Sequence, residues 1–171
     1  MKALAKHPDH PGLLMAAIAA SLPKSRGAPT AELVPLLERY AKARPVDPLP
    51  HKLLTTWYLS GGGKDAPDAT DRVVEHLEFL DAREQYSAAY ATELANRYGA
   101  RGDWDRAWAK ALRAVRIAPY DARTRETAAT VAVLRKDFDA AQWQLEALRA
   151  LEPDQEVHSQ RLEALKKLRG N

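Results

Sequence analysis

The chain has 171 residues, of which 46% are hydrophobic and 29% are charged, as in folded domains with a sizeable core. It contains no cysteine, which excludes disulfide bonds, thiolate metal ligands and cysteine nucleophiles. The net charge of +3 is small and spread along the chain, so it favours anionic partners only weakly. No apolar run is long enough for a membrane span, and the sequence leaves the compartment open.

The first residues have the pattern of a helix end. The segment MKALAKHPD, residues 1–9, reads as the tail of a helix followed by Pro8, a residue that helix interiors do not accept. We therefore expect this chain to be the C-terminal part of a longer polypeptide in which Met1 is not the native start. The alternative is a natural start with an atypical first helix.

The first half of the chain predicts four helices with unequal connections. Ala, Leu, Arg and Glu predominate, apolar residues recur every three or four positions, and no stretch alternates with period two. Helices are predicted at 10–22, 30–43, 49–60 and 70–83. Long connections fall at 23–29 and 61–69, and Thr30 and Thr70 are predicted N-cap residues.

The sequence GGGK, residues 61–64, contains elements of a phosphate-binding loop. Such a loop requires Ser or Thr after the lysine and a strand before the glycines. Here Asp65 follows Lys64, and a predicted helix precedes the glycines. We interpret this segment as a flexible turn that joins two helices.

The second half predicts five helices of more even length. They are expected at 87–100, 103–118, 121–135, 137–152 and 154–168. Asp103 and Asp137 are predicted N-caps, and Pro119 and Pro153 follow two of the helices. The last helix has apolar residues on one side only, which is typical of the capping helix that a helical stack needs for solubility.

A short motif occurs twice in this half. Positions of GDWDRA, residues 102–107, match positions of KDFDAA, residues 136–141, at an offset of 34 residues. Pro119 and Pro153 keep the same offset. A fixed period of this length is typical of proteins built from repeated helix pairs.

These repeats resemble the tetratricopeptide repeat (TPR) family, whose units are antiparallel helix pairs. The residues of 88–121 that fall at the motif positions of the family are Ala91, Leu94, Ala95, Tyr98, Ala107, Ala111 and Pro119. The resemblance implies an all-α fold, a TPR-like right-handed superhelix (solenoid) of about four antiparallel helix pairs plus a C-terminal capping helix.

We interpret residues 1–171 as one helical-repeat domain. The expected segments are a helix tail at 1–9, a repeat at 10–45, a repeat with a long inner loop at 46–84, repeats at 85–121 and 122–153, and the capping helix at 154–171. The repeat at 122–153 keeps Phe138 and Ala141 at motif positions but has Ala128 and Ala132 where the family has Leu and Tyr.

No pattern in the sequence indicates catalysis. There is no G-x-S-x-G motif, and no pair of carboxylates differs from ordinary helix charges. The histidines of HPDHP, residues 7–11, lack a third ligand at helical spacing, and those at 51 and 158 are isolated. Glu75 and His76 are adjacent on a helix and point in different directions. We predict no catalytic, cofactor-binding or metal-binding residues, and surface or helix-end packing for all five histidines.

Two further patterns have a structural interpretation. Arg106, Lys110 and Arg113 share one helix face, which favours a solvated surface over the alternative of nucleic-acid binding. Several aromatic residues occupy apolar helical positions, and we expect them to pack in the core or between repeats. They are Trp57, Trp104, Trp108, Trp143 and Tyr98.

The resemblance also implies a concave groove, lined by the first helix of each pair and suited to an extended peptide or a partner helix. The groove positions of the family carry over to Leu49, Lys52, Thr56, Thr92, Asn96, Arg123, Glu126 and Thr130. The carboxylate clamp of some family members is matched at Asn96 but not at Thr92, where it has Lys, and Glu126 adds a negative charge. The alternative is that these residues are polar because they face water.

Together these patterns predict a non-catalytic module that binds a peptide, a partner protein or another domain of the same polypeptide. An alternative is the C-terminal TPR arm of a larger bacterial enzyme, for example a gluzincin-type metallopeptidase, whose catalytic domain is absent from this chain. Self-association through residues 1–22 is a further alternative, and nucleic-acid binding is a minor one.

Overall fold

The computed structural model describes residues 2–22, 29–63 and 68–170, and all regular structure in these ranges is helical. The helices are α1 (Lys2–Lys6), α2 (Pro11–Ser21), α3 (Val34–Ala43), α4 (Pro48–Leu59), α5 (Ala69–Arg83), α6 (Ala88–Ala100), α7 (Trp104–Ile117), α8 (Ala122–Leu134), α9 (Phe138–Leu151) and α10 (Glu156–Arg169). A short 3-10 turn, Ala31–Leu33, precedes α3. The prediction of an all-α chain is confirmed.

The helix starts show which predicted caps form. The side chain of Asp103 accepts a hydrogen bond from the Arg106 backbone N–H at 3.2 Å, and Asp137 accepts one from Ala140 at 3.1 Å. Both residues cap a helix as predicted, and each satisfies a backbone donor that the first turn leaves without a helical partner.

Of the two threonines predicted as N-caps, only Thr30 occupies an N-cap position. Thr30 precedes the 3-10 turn, but its side chain makes no capping hydrogen bond. The prediction for Thr70 is wrong, because α5 already begins at Ala69. The carbonyl oxygen of Asp68 accepts the first hydrogen bonds of this helix, from Asp71 and Arg72. Parts of the predicted long connections, at 23–28 and 64–67, lie outside the described residues.

The turns inside the two 34-residue repeats share one backbone conformation. Gly102, between α6 and α7, has φ +73°, and Lys136, between α8 and α9, has φ +62°. These residues are 34 positions apart, so the repeat extends to the left-handed residue of the turn. Glycine adopts this conformation at little cost, whereas a lysine there is strained.

The chain divides into two compact units, Met1–Arg83 and Glu84–Asn171. In the first unit α2 packs on α3, α3 on α4, and α4 on α5. Its buried core contains large side chains, namely Leu14, Ile18, Leu33, Leu37, Tyr40 and Leu54. Burial of these apolar groups holds α2, α3 and α4 together.

The second unit contains the regular repeats. α6 packs on α7 and α8 on α9, each pair joined by a short turn, and α10 packs on α9. Alanines dominate where the helices meet, and those with no exposed surface include Ala91, Ala95, Ala107, Ala111, Ala128, Ala132 and Ala141. Because their side chains are small, the helix backbones approach closely, and larger residues such as Leu145 and Leu148 fill the remaining space.

Candidate functional site

The best-formed candidate surface lies on α6 and α8 of the second unit. These helices are the first members of neighbouring pairs, and they contact each other directly. Arg123, Glu126 and Thr130 are exposed and share one face of α8 because they are three and four residues apart. Asn96 is exposed on α6, and its position in the repeat corresponds to that of Thr130. The two helices therefore present polar side chains on neighbouring faces, with one matched pair, Asn96 and Thr130.

Thr92 does not contribute to this surface. It is 2% exposed, and its hydroxyl donates to the Ala88 carbonyl at 2.8 Å within the same helix. α6 packs against both α7 and α8, so its buried face is broad and includes this position. The hydroxyl is turned back to its own backbone, so this residue has no polar group available for a ligand.

The charges on these helices are partly paired. Arg97 donates to Glu93 at 2.7 Å on α6. Arg161 of α10 lies 3.6 Å from the Glu126 carboxylate, so α10 adds a positive charge next to α8. Exposed pairs of this kind contribute little to stability and exchange partners readily. The surface is of mixed charge rather than basic, which differs from a site built to hold a peptide carboxylate.

The remaining predicted groove residues lie in the first unit, on α4. Lys52 and Thr56 are exposed, and Leu49 is partly buried. The Thr56 hydroxyl donates to the Lys52 carbonyl at 2.9 Å. Leu49, Lys52 and Thr56 follow each other at three and four residues and thus share one helix face.

The basic residues of α7 are engaged within the chain. Arg106 donates to the Asp103 carboxylate at 2.6 Å, and its guanidinium lies 4.6 Å from the centre of the Tyr98 ring. Hydrogen bonds from Arg106 hold the pKa of Asp103 below its ordinary value. The bond from the backbone N–H has the larger effect, and the bond from the side chain has the smaller one. Lys110 and Arg113 also interact with other groups of the chain. This pairing favours a structural role over nucleic-acid binding.

Aromatic packing follows the prediction with one exception. Tyr98 is buried, and Trp57, Trp104 and Trp108 are partly buried. Trp143 is 60% exposed, so the expectation that it packs in the core or between repeats is wrong. It lies beside the buried face of α9 rather than on it, and the Arg125 guanidinium lies 5.3 Å from its ring centre.

Two polar residues of the second unit are buried. Gln144 has no exposed surface and accepts a hydrogen bond from Arg125 at 2.9 Å, while its amide nitrogen has no hydrogen-bond partner among the described residues. His158 is 1% exposed; its Nε2 lies 2.7 Å from the Glu152 carboxylate, and its Nδ1 has no partner in the described ranges. The period of α9 places Gln144 on the buried face, so burial alone was readable from the sequence.

A histidine pair joins α4 and α5 in the first unit. The Nδ1 atoms of His51 and His76 are 3.1 Å apart. The sequence predicts an isolated His51, and this contact shows that it is not isolated. The His51 ring is stacked on Phe79, with ring centres 3.6 Å apart and planes 9° apart. This pairing spans 25 residues and depends on how the two helices pack, so no local sequence pattern reports it.

Burial controls the charge of this pair. It lowers the pKa of His76 to about 4, with further contributions from the neighbouring His51 and Arg72. It also lowers the pKa of His51, against the opposing effect of Glu75. Both imidazoles are therefore neutral at pH 7. They line a cleft of about 520 Å³ together with Glu38, Asp71 and Arg72.

The Trp57 indole packs directly against the backbone of the glycines in GGGK. A Cβ atom added at Gly62 would lie 2.3 Å from the indole, and one added at Gly63 would lie 2.8 Å from it. Gly61 and Gly63 have φ +90° and +65°, conformations that side chains disfavour. These glycines thus meet a packing requirement at the end of α4. Lys64 lies outside the described residues.

Two kinds of site are absent from the described residues. Among the described residues, no group of three or more His, Asp or Glu side chains is arranged to hold a metal ion. No helix in the described ranges has both the length and the apolar character needed to cross a membrane.

No family model and no curated protein matches the chain. Solved structures do match. A crystal structure of MamA superimposes with a TM-score of 0.66 and 16% identity, covering 81% of this chain and 77% of that chain. The structure titled MamA 41-end from Desulfovibrio magneticus RS-1 gives 0.66 at 17% identity, covering 94% and 85%. At this identity the likeness concerns the fold, and the chain has a TPR-like helical-repeat fold.

Proposed function

We propose that this protein is a non-catalytic interaction module that binds a peptide or a partner protein on the exposed face of α6 and α8. The observation that carries the proposal is the set of exposed polar residues on two contacting first helices: Asn96, Arg123, Glu126 and Thr130. The TPR-like fold supports it, because stacked helix pairs present extended surfaces of this kind to protein partners.

The chemistry of the surface indicates the kind of partner. Asn96 offers both a donor and an acceptor, which suits hydrogen bonding to the backbone of an extended segment. Arg123 and Glu126 are exposed charges of opposite sign on one helix face. We expect a ligand that carries both charges, rather than one whose recognition depends on a terminal carboxylate alone.

A peptide-display selection tests this proposal. The purified chain selects binders from a library of random peptides, and the affinity of an enriched peptide is then measured for the wild type and for the double variant Asn96→Ala/Arg123→Glu. We expect the variant to bind at least about tenfold more weakly, because it loses an amide contact and gains a charge of the wrong sign.

Arg116→Glu is the matched control. Arg116 is exposed on α7, the second helix of its pair, so this variant has the same charge change outside the proposed surface. Its affinity should equal that of the wild type, and circular dichroism should show both variants to be folded. An equal loss in control and double variant, or no loss in either, contradicts the proposed site.

The alternative of an arm on a larger enzyme receives no support from the likeness to MamA. Self-association through residues 1–22 stays a prediction. A concentration series in analytical ultracentrifugation separates it from binding of a different partner, since only self-association raises the mass of the isolated chain.

A further inference from the structure

The contact between His51 and His76 has the dimensions of a chelating pair. Their Nδ1 atoms are 3.1 Å apart, and their ring planes meet at 72°. At this distance one Nδ1 donates a hydrogen bond to the other, so the two nitrogens face each other. Neutral imidazole nitrogen is the ligand form for zinc, nickel and copper.

We propose that His51 and His76 form a two-imidazole site for a divalent transition-metal ion, which would join α4 to α5. An ion at the usual zinc–nitrogen distance of about 2.05 Å from both Nδ1 atoms would subtend an angle of about 100° between them. This lies between the square-planar angle of about 90° and the tetrahedral angle of about 109°. The observed separation of the two Nδ1 atoms therefore matches a shared ion, which would lie about 1.3 Å to one side of the line that joins them.

The surroundings fix both rings and leave the site accessible. His51 is held by its stacking on Phe79, and His76 lies against Tyr58 with ring centres 6.0 Å apart. Both histidines line the cleft of about 520 Å³, through which an ion and its water ligands can enter. Rings held in place by packing lose little freedom on binding, which favours affinity.

The charges of the cleft suit a cation. Glu75 is exposed and lines the same cleft. Arg72 donates to Glu38 at 2.6 Å and to Asp68 at 2.7 Å, so its own charge is balanced by two carboxylates. Since the described part of the chain arranges no third side chain as a ligand, water would complete the coordination.

Binding requires one change of tautomer and no net loss of protons. The ring that donates from Nδ1 releases that proton to solvent and takes one up at Nε2, while the other ring already carries its proton on Nε2. Both Nδ1 lone pairs are then free for the ion.

Calorimetric titration with zinc chloride or nickel chloride on the untagged chain tests the proposal. We expect one ion per chain, and at least about tenfold weaker binding in His51→Gln and in His76→Gln. The double variant His7→Gln/His10→Gln removes two exposed imidazoles elsewhere and should bind as the wild type does. Magnesium chloride should give no binding, because hard cations prefer oxygen ligands.

Nitrogen-detected NMR of the wild-type histidine rings keeps the test decisive if a His51 or His76 variant fails to fold. Zinc should shift the Nδ1 resonances of these two rings and leave those of the other histidines unchanged. The proposal is overturned if the wild type binds no ion, if binding is lost in the His7/His10 variant instead, or if other ring nitrogens shift.

Discussion

Single residues in this chain can be compared because the repeat supplies matched positions. Gly102 and Lys136 occupy the same place in two turns and have nearly the same φ. The turn therefore requires a positive φ at this position, whether the residue there is glycine or lysine. The sequence shows the offset, but it does not show that the lysine inherits a glycine conformation, because backbone angles are visible only in the structure.

Lys136→Gly is expected to stabilise the second unit by about 1 kcal/mol, because it removes the cost of a left-handed lysine. Lys136 is exposed, so little packing is lost. The free energy of unfolding in urea measures the effect. Gly102→Ala is the converse variant and should destabilise by a similar amount, since its Cβ meets no atom within 4 Å and only the backbone is strained. Equal stability of all three proteins contradicts this account.

Thr55 and Thr56 are neighbours with opposite environments. The Thr55 hydroxyl is buried and has no hydrogen-bond partner in the part of the chain that the structure describes, whereas the Thr56 hydroxyl is exposed and donates to Lys52. We expect Thr55→Val to stabilise the first unit by about 1–2 kcal/mol, because the methyl group needs no partner. Thermal unfolding measures the change. Thr56→Val should have almost no effect, and a larger gain there than at Thr55 would refute the explanation.

At the scale of elements, the sequence predicts most of the helices and their limits. Apolar spacing locates each long helix, and the aspartates at 103 and 137 cap them as expected. The misses have physical causes. Thr70 lies inside its helix because Asp68 supplies the first carbonyl acceptor, and Trp143 lies just off the buried stripe. Local preference cannot resolve a choice between neighbouring positions that tertiary packing decides.

The contact between His51 and His76 depends on how two helices pack, so it could not be predicted from either helix alone. Each histidine alone suggests a surface residue, and only the packing of α4 on α5 brings the two Nδ1 atoms together. The predicted groove residues also show that tertiary contacts are not readable from local sequence. Its exposed positions follow from helical phase, but the burial of Thr92 depends on the contact of α6 with two other helices.

This pair makes the first unit sensitive to acid. The folded pKa of His76 is about 4, below the ordinary value of 6.5 in the unfolded chain. Stability is therefore complete above about pH 6.5 and falls as pH decreases towards 4, by about 1–3 kcal/mol. The charged groups that act on the two rings are Asp47, Arg72, Glu75 and Arg83.

Urea unfolding at a series of pH values between about 7 and about 4.5 measures this loss. The variant His76→Gln should show a smaller decrease over that interval, because it removes the group with the depressed pKa. His10→Gln changes an exposed histidine and should keep the wild-type slope. An identical slope in all three proteins would assign the acid sensitivity to other groups.

For the whole molecule, the fold class was predictable and the partner was not. Helix composition, a 34-residue period and small residues at close contacts are enough to indicate stacked helix pairs. The match to MamA at 16% identity shows that such packing persists when most side chains differ. Which ligand binds depends on a few exposed residues that packing does not constrain, and so fold alone does not identify it.

The packing of Trp57 against the glycines should affect its fluorescence emission. An indole covered by backbone emits at shorter wavelength than one surrounded by water, so Trp57 and the exposed Trp143 should differ in fluorescence. With the other tryptophans replaced by phenylalanine, the emission of Trp57 would report whether the glycine backbone stays in contact with the Trp57 ring on α4. The chain thus carries an intrinsic probe of this connection, which needs no added label.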